Sequence, residues 1–383
     1  MLQAKSSIYP YRKCSAALSS RARVQEVSDC CQLSETLAAM LMPELADCRA
    51  YVDQDLKCAV VGLGKMGILH SGILNLLRSN LVRAVVERSR LTRISASRLI
   101  KSVKFYGDLD KMLHRESPDV VYIATPVQSH WDIISSLFEA NVGWIFVEKP
   151  PTVDHAQLLS LIDGMSNQTV MVGLQKRFAL PFRHAKMLLS NGIMSEIEEV
   201  SAYIRSGDVL GPVSRRDTMG RGVLLDLGIH LIDLLVWIFD VEIVEASRSQ
   251  KIYSSTDDRF EVELRTTSNL KVSAEVTWSN SEYRWPETYL EITATKGLLR
   301  ATEDYLKVDL TEKHDLLNDQ RKLVLYKPHY YQSLPPVNLA DPEYALEDLH
   351  FLSCIYSRKE PLTSLKNVSR TMNLIDELYA KAR

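Results

Sequence analysis

Three stretches of this sequence combine residue types and spacings that can do chemistry. The first is Gly62-Leu63-Gly64-Lys65-Met66-Gly67, which follows the apolar run Cys58-Ala59-Val60-Val61. A G-x-G-x-x-G run between a strand and a helix suits the pyrophosphate of a dinucleotide, and all six residues are candidate contacts. The first glycine permits the tight turn, the second lets the backbone approach the phosphates, and the third lets helix and strand pack closely. The start of the helix adds free N–H groups and the positive end of its dipole. Such a site also needs an acid about 20 residues on, at the end of the second strand. Glu87, after Val85-Val86, fills that place and can accept hydrogen bonds from the ribose hydroxyls. A carboxylate there repels a 2′-phosphate, so the cofactor reads as NAD. Arg88 and Arg90 beside it keep NADP open.

The second stretch is Glu148-Lys149-Pro150-Pro151, which ends the apolar run Trp144-Ile145-Phe146-Val147. Thr125-Pro126 ends another such run in the same way. Carboxyl ends of parallel strands are where open α/β sheets hold ligands. The third stretch runs from Val223 to Leu235 and is apolar almost throughout, apart from Asp226, His230 and Asp233. These sit at i, i+4 and i+7 and so share one stripe of a helix. That stripe suits a cleft, and equally a core in which His230 is hydrogen-bonded to Asp226. In a cleft, a carboxylate that orients an imidazole makes a general base.

The elements that must position these residues follow from the hydrophobic pattern. From Lys57 onward, short runs that are apolar on both faces alternate with helical stretches. Examples are Asp119 to Ala124 and Thr169-Val170-Met171-Val172. This is the grammar of a parallel sheet covered on both sides. After about residue 178 the pattern changes. Phe260-Glu261-Val262-Glu263-Leu264 and Lys271 to Val276 alternate with period two, which marks a sheet with one covered and one polar face. The expected fold is α/β: a Rossmann-type doubly wound parallel sheet at residues 57–178, then an α+β domain with a mostly antiparallel open-faced sheet at residues 179–383. The C-terminal helix is expected to pack back on the first domain. Residues 1–56 form an extension without an assigned role. Their first 25 residues are rich in Arg and Ser and lack acids, yet show no amphipathic period, and read as an extension rather than a transit peptide. A short helix is expected at residues 34–42, capped by Ser34 and ended by Pro43.

The net charge of −2, from 46 basic and 48 acidic residues, gives no footprint for nucleic acid or an anionic membrane. The most apolar stretch, Val223 to Phe239, carries Asp226, His230 and Asp233 and is not read as a membrane span. The six cysteines include no C-x-x-C pair, which points to reduced thiols in the cytoplasm and to no metal site.

Five parts of the chain occur in the order found in the glucose–fructose oxidoreductase/inositol dehydrogenase (Gfo/Idh/MocA) family, which the sequence resembles over about residues 57–383. They are Val61 to Gly67, Ala124-Thr125-Pro126 with His130, Glu148-Lys149-Pro150, Gly173-Leu174-Gln175-Lys176-Arg177-Phe178, and Gly222 to His230. The resemblance implies a catalytic trio of Lys149, Asp226 and His230. His230 takes the hydroxyl proton, Asp226 orients and charges the imidazole, and Lys149 holds the substrate oxygen. It also implies that Thr125, Pro126, His130, Glu148, Lys149 and Arg177 line the dinucleotide with the glycine run, Glu87 and Arg88. Gln175 stands where many relatives have Asn. Implied substrates are sugars, cyclitols or nucleotide sugars. The implied assembly is a homodimer or homotetramer built through the second-domain sheet.

Within this fold, a hydride-transferring oxidoreductase competes with a non-catalytic dinucleotide-binding regulator and with a lyase or hydrolase that retains its cofactor. The presence of all three trio residues favours the oxidoreductase. Tyr203, Arg205, Arg284 and Trp285 are candidate substrate contacts, and Arg205–Gly222 is a candidate loop over the cleft.

Overall fold

A computed structural model describes residues 56–207, 221–243, 248–250, 256–266, 268–283, 285–327 and 341–382. The expected helix at 34–42, Arg284 and most of the expected loop at 205–222 lie outside these residues. The first half alternates strand and helix: β1 (Cys58–Val61), α1 (Lys65–Leu77), β2 (Val82–Val86), α2 (Arg90–Leu99), β3 (Lys104–Tyr106), α3 (Leu109–Glu116), β4 (Val120–Ile123), α4 (His130–Glu139), β5 (Trp144–Glu148), α5 (His155–Gly164) and β6 (Thr169–Gly173). The six strands form one sheet in the order β3-β2-β1-β4-β5-β6, with every neighbouring pair parallel. This is the Rossmann order, which reverses direction between β1 and β4 and leaves a crevice at their carboxyl ends. β1 and β4 are buried at every residue, because helices cover both faces.

The second half begins with α6 (Leu180–Ser190) and β7 (Ile197–Arg205). Two consecutive helices follow, α7 (Val223–Asp226) and α8 (Gly228–Phe239). Then come β8 (Val241–Ile243), β9 (Arg248–Gln250), β10 (Arg259–Thr266), β11 (Lys271–Thr277), β12 (Glu287–Ala294), β13 (Gly297–Thr302), β14 (Tyr305–His314) and β15 (Gln320–Tyr326). They build a nine-stranded sheet in the order β15-β14-β13-β12-β7-β11-β10-β8, with β9 beside β10. It is antiparallel except where β7 pairs with β11. On β7, Val200, Ala202 and Ile204 are buried while Tyr203 and Arg205 are not, the alternation of a sheet with helices on one face only. α6, α7 and α8 pack on that covered face.

The chain closes with α9 (Pro342–Ser357) and α10 (Leu365–Lys381). α10 returns to the first sheet and packs on α5 and β6. There the Val172 N–H donates to the Thr363 carbonyl at 2.8 Å, and Thr363 Oγ1 donates to the Val172 carbonyl at 2.7 Å, so the segment before α10 lies along the free edge of β6. The apolar core runs unbroken from the first sheet to the second. Among the described residues no helix is long and apolar enough to cross a membrane.

Candidate active site

The glycine run forms a cradle at the carboxyl end of β1. Gly62 has φ of 95°, and a Cβ there would lie 2.6 Å from the Ala124 carbonyl oxygen of β4's exit. A Cβ on Gly67 would lie 1.9 Å from the Gly62 carbonyl oxygen, so only glycine lets α1 start this close to β1. Gly64 differs, since a Cβ there would meet nothing within 4 Å. Its outer side is open space directly over the α1 N-terminus, which has no side-chain cap. Open space, bare backbone and uncapped N–H groups suit a pyrophosphate. Lys65 and Met66 form the first turn of α1 there.

Glu87 stands at the end of β2, where the ribose acid is required. Its Oε2 accepts from the Leu63 N–H at 3.0 Å and its Oε1 from the Ser89 N–H at 2.7 Å. Each oxygen keeps a second lone pair for a hydroxyl donor. Arg93 donates to the carbonyls of Glu87 and Arg88 at 2.6 and 2.8 Å and braces this turn from behind. Arg88 itself is exposed.

The strand ends at β4 and β5 are tied together by a residue expected in the groove itself. His130 is buried; its Nε2 lies 2.8 Å from the Thr125 carbonyl and its Nδ1 2.9 Å from the Pro150 carbonyl. It therefore ties the Thr125-Pro126 turn to the cis Lys149–Pro150 turn, with both ring nitrogens engaged by backbone carbonyls. Glu148 is likewise turned inward. Its Oε1 lies 2.9 Å from Nε2 of His70 on α1, and its Oε2 accepts from the Lys149 N–H at 3.2 Å. Arg177 is turned inward as well. Nε and Nη2 each donate at 2.6 Å to the two carboxylate oxygens of Asp233, and Nη1 donates to the Leu362 carbonyl at 3.2 Å. With a side chain only 4% exposed, it is a core residue. Gln175 is also buried and donates to the Tyr344 hydroxyl at 3.0 Å.

Lys149 and Asp226 are brought together from the two halves of the molecule, with His230 one helical turn beyond Asp226 and near enough to feel the Lys149 charge. Lys149 Nζ donates to the Asp226 carbonyl at 2.7 Å and to its carboxylate at 3.0 Å. The carboxylate thus holds the lysine, and no hydrogen bond joins it to His230, against the expectation that Asp226 orients the imidazole. The helix is the reason. It breaks at Leu227, where the His230 N–H bonds back three residues to the Leu227 carbonyl at 3.3 Å. The break separates the expected stripe: Asp226 faces Lys149, while Asp233 turns into the core toward Arg177 and Thr371.

His230 is 4% exposed, and its Nδ1 finds no partner among the described residues. Burial first, then the Lys149 and Lys176 ammonium charges, hold its pKa well below the ordinary value of 6.5. The ring is neutral near pH 7 and able to accept a proton. Lys176, one residue before Arg177, is itself held 2.5 Å from Glu303 and 3.8 Å from Glu343.

Two sequence-based candidates fall elsewhere. Tyr203 and Arg205 lie on the uncovered face of the second sheet, opposite the helices that carry Asp226 and His230. There Tyr203 stacks on Tyr289 at 4.9 Å and Arg205 pairs with Glu275 at 2.5 Å. Trp285, just before β12, is 68% exposed. The buried partners His70, Glu347 and Asp348 had no place in the sequence reading. Their signal was present: His70 falls on the inward stripe of α1 one turn after Gly67, and two adjacent acids interrupt the apolar pattern of α9.

Fold and site together define a dinucleotide-binding protein with a second, open-faced sheet. The chain belongs to the GFO/IDH/MocA family. The model of its oxidoreductase family, NAD-binding Rossmann fold, matches residues 56–176, and that of the GFO/IDH/MocA C-terminal domain matches residues 182–300. The first sheet is thus an NAD-binding Rossmann domain. The chain is 26% identical over 212 residues to D-glucoside 3-dehydrogenase of Escherichia coli strain K12, covering 53% of this chain and 60% of the relative. It is 25% identical over 215 residues to scyllo-inositol 2-dehydrogenase (NAD(+)) of Bacillus subtilis strain 168, again covering 53% and 60%. The match spans 52% to 61% of the length of three curated relatives. In fold it is similar to levoglucosan dehydrogenase in complex with NADH and levoglucosan. The TM-score is 0.73 at 18% identity, covering 86% of this chain and 97% of that one.

Proposed function

We propose that the protein is an NAD-dependent dehydrogenase that moves a hydride between nicotinamide and a secondary alcohol or ketone of a sugar, cyclitol or nucleotide sugar. The observation that carries this reading is the meeting of Lys149, at the end of β5, with Asp226 and the neutral His230 from the second half. NAD, when bound, supplies the hydride acceptor. His230 takes the proton of the substrate hydroxyl. Lys149, held by Asp226, donates to the same oxygen and stabilises the negative charge that grows there. Burial of His230 keeps water from competing for that proton. The glycine run, Glu87, Thr125 and Pro126 hold the dinucleotide, and the Glu87 carboxylate favours NAD over NADP. The relatives named above, whose substrates are a glucoside and an inositol, support the substrate class.

We further read residues 57–178 and 179–383 as the two functional units. The protein is read as a homodimer or homotetramer through the uncovered sheet, whose tyrosines Tyr203, Tyr289, Tyr305 and Tyr326 make it rich in aromatic surface. The buried Cys58 thiol, outside any disulfide, supports a reducing compartment such as the cytoplasm.

The test is titration with NADH and NADPH followed by an oxidation screen of sugars and cyclitols. NADH binding at least about tenfold tighter than NADPH, lost in Glu87→Ala, together with NADH production from one of these alcohols, is expected. Failure of wild type to turn over any of them, with NADH bound, refutes the dehydrogenase and leaves the regulator or the cofactor-retaining lyase or hydrolase.

A further inference from the structure

Away from the Lys149–Asp226–His230 site, buried ionisable groups gather around His70. Its Nε2 lies 2.9 Å from Glu148 at the end of β5, and its Nδ1 lies 2.9 and 3.0 Å from the two carboxylate oxygens of Asp348 on α9. An ionised carboxylate only accepts hydrogen bonds, so a ring between two of them carries a proton on each nitrogen. Burial alone would push the imidazole down, but the Asp348 and Glu148 carboxylates outweigh it and hold His70 well above its ordinary range. Glu347, next in the chain to Asp348, is fully buried. Burial, then the Glu148 charge, push its carboxyl well above the usual carboxylate range against the opposing charge of His70. The ring is otherwise walled by Tyr122, Phe146 and Tyr344.

A hydrogen-bonded chain therefore runs from Asp348 through His70 and Glu148 to the Lys149 N–H. His70 belongs to α1, whose first turn forms the phosphate cradle. We propose that His70 is a positioning residue for Lys149: by clamping Glu148 it fixes the Lys149 peptide and ties the phosphate-binding helix to the strand end that carries the amine. Packing alone does not explain the arrangement, because apolar residues of similar volume commonly replace a buried ion pair without loss of stability. The proposal rests on the reading of Lys149 as a catalytic amine, and its test includes a readout that needs no substrate.

The variants are His70→Gln and Asp348→Asn. Three quantities are measured: NADH affinity, kcat with an alcohol found by the screen, and the rate and pH dependence of Lys149 modification by an amine-reactive reagent, followed by peptide mass spectrometry. The Lys149 side chain, 21% exposed, is reachable. His70→Gln is expected to lower kcat by about tenfold or more and to change the Lys149 modification rate at least about threefold, while the NADH Kd stays within about threefold. Asp348→Asn keeps an acceptor for Nδ1 and is expected to move both in the same direction by less. Unchanged kcat and Lys149 reactivity in both variants overturn the proposal. So does equal loss of NADH affinity, which would make His70 a packing residue of α1. If His70→Gln does not fold, Asp348→Asn decides by the same readouts. If wild type oxidises no alcohol, the dehydrogenase reading fails and the labelling comparison alone decides the role of His70.

Discussion

Lys149 Nζ donates both to the main-chain carbonyl and to the carboxylate of Asp226. One residue from the second half of the protein thus holds the amine at the end of β5 with two acceptors. Asp226→Asn keeps the carbonyl and a weaker side-chain acceptor, whereas Lys149→Met removes the amine. We expect Lys149→Met to lower kcat by about a hundredfold or more, and Asp226→Asn by less, with NADH Kd nearly unchanged in both. Steady-state kinetics beside a binding titration check this. A Lys149→Met enzyme with normal kcat would remove the amine from the mechanism.

With His230 as the base, we expect its titration to set the pH dependence. Its pKa is depressed, by burial first and by Lys149 second, so the acid limb of kcat/KM for alcohol oxidation is expected below 6.5. Residual activity of Lys149→Met is expected to show that limb at higher pH, because a nearby positive charge has gone. The same depression has a stability consequence. Between the folded pKa and 6.5 the unfolded chain binds a proton that folded His230 refuses, so its contribution makes stability fall as pH drops through that window. Glu343, pushed up to about 7, slopes the other way, so the comparison must be with a variant. The drop in urea midpoint on acidification should be smaller in His230→Gln than in wild type. An equal drop in both would show that folded His230 titrates normally.

The alternation of strands and helices was legible because the central strands β1, β4 and β5 are buried on both faces, and β10, β11 and β12 show period two. The cradle was legible because glycine is required by contact, as Gly62 and Gly67 show. What was not legible is the direction in which a polar side chain turns. His130, Glu148 and Arg177 all sit in motif positions beside the groove, yet each points inward to a partner that local spacing does not announce. The Asp233 partner of Arg177 lies 56 residues on, and the Asp348 partner of His70 lies 278 residues on. Similarly, the alternation on β7 showed that Tyr203 and Arg205 share a face. It could not show that the helices carrying Asp226 and His230 cover the other one.

Arg177 and Asp233 form a two-pronged ion pair with side chains 4% and 2% exposed, joined by Thr371 Oγ1 at 3.0 Å. Removing one partner leaves a buried charge alone. Arg177→Met or Asp233→Leu is expected to cost about 3–5 kcal/mol, whereas the double variant should recover much of that loss. Urea unfolding of the three variants tests it. Loss of NADH affinity in a folded Arg177→Met protein would instead return Arg177 to the dinucleotide site.

Gly64 and Gly67 differ by three positions and should fail in different ways. At Gly67 a methyl group would meet the Gly62 carbonyl at 1.9 Å, so Gly67→Ala must push α1 away from β1 and is expected to lower stability even without ligand. At Gly64 the methyl group meets no protein atom within 4 Å, and φ of −77° is open to alanine. Gly64→Ala should therefore unfold at the same urea concentration as wild type. Its methyl group would occupy the space over the uncapped α1 N-terminus, where the phosphates approach the backbone most closely. We expect its NADH Kd to rise by about tenfold or more. If Gly64→Ala binds NADH normally, the pyrophosphate does not lie against this turn, and the role given to the α1 N-terminus falls with it.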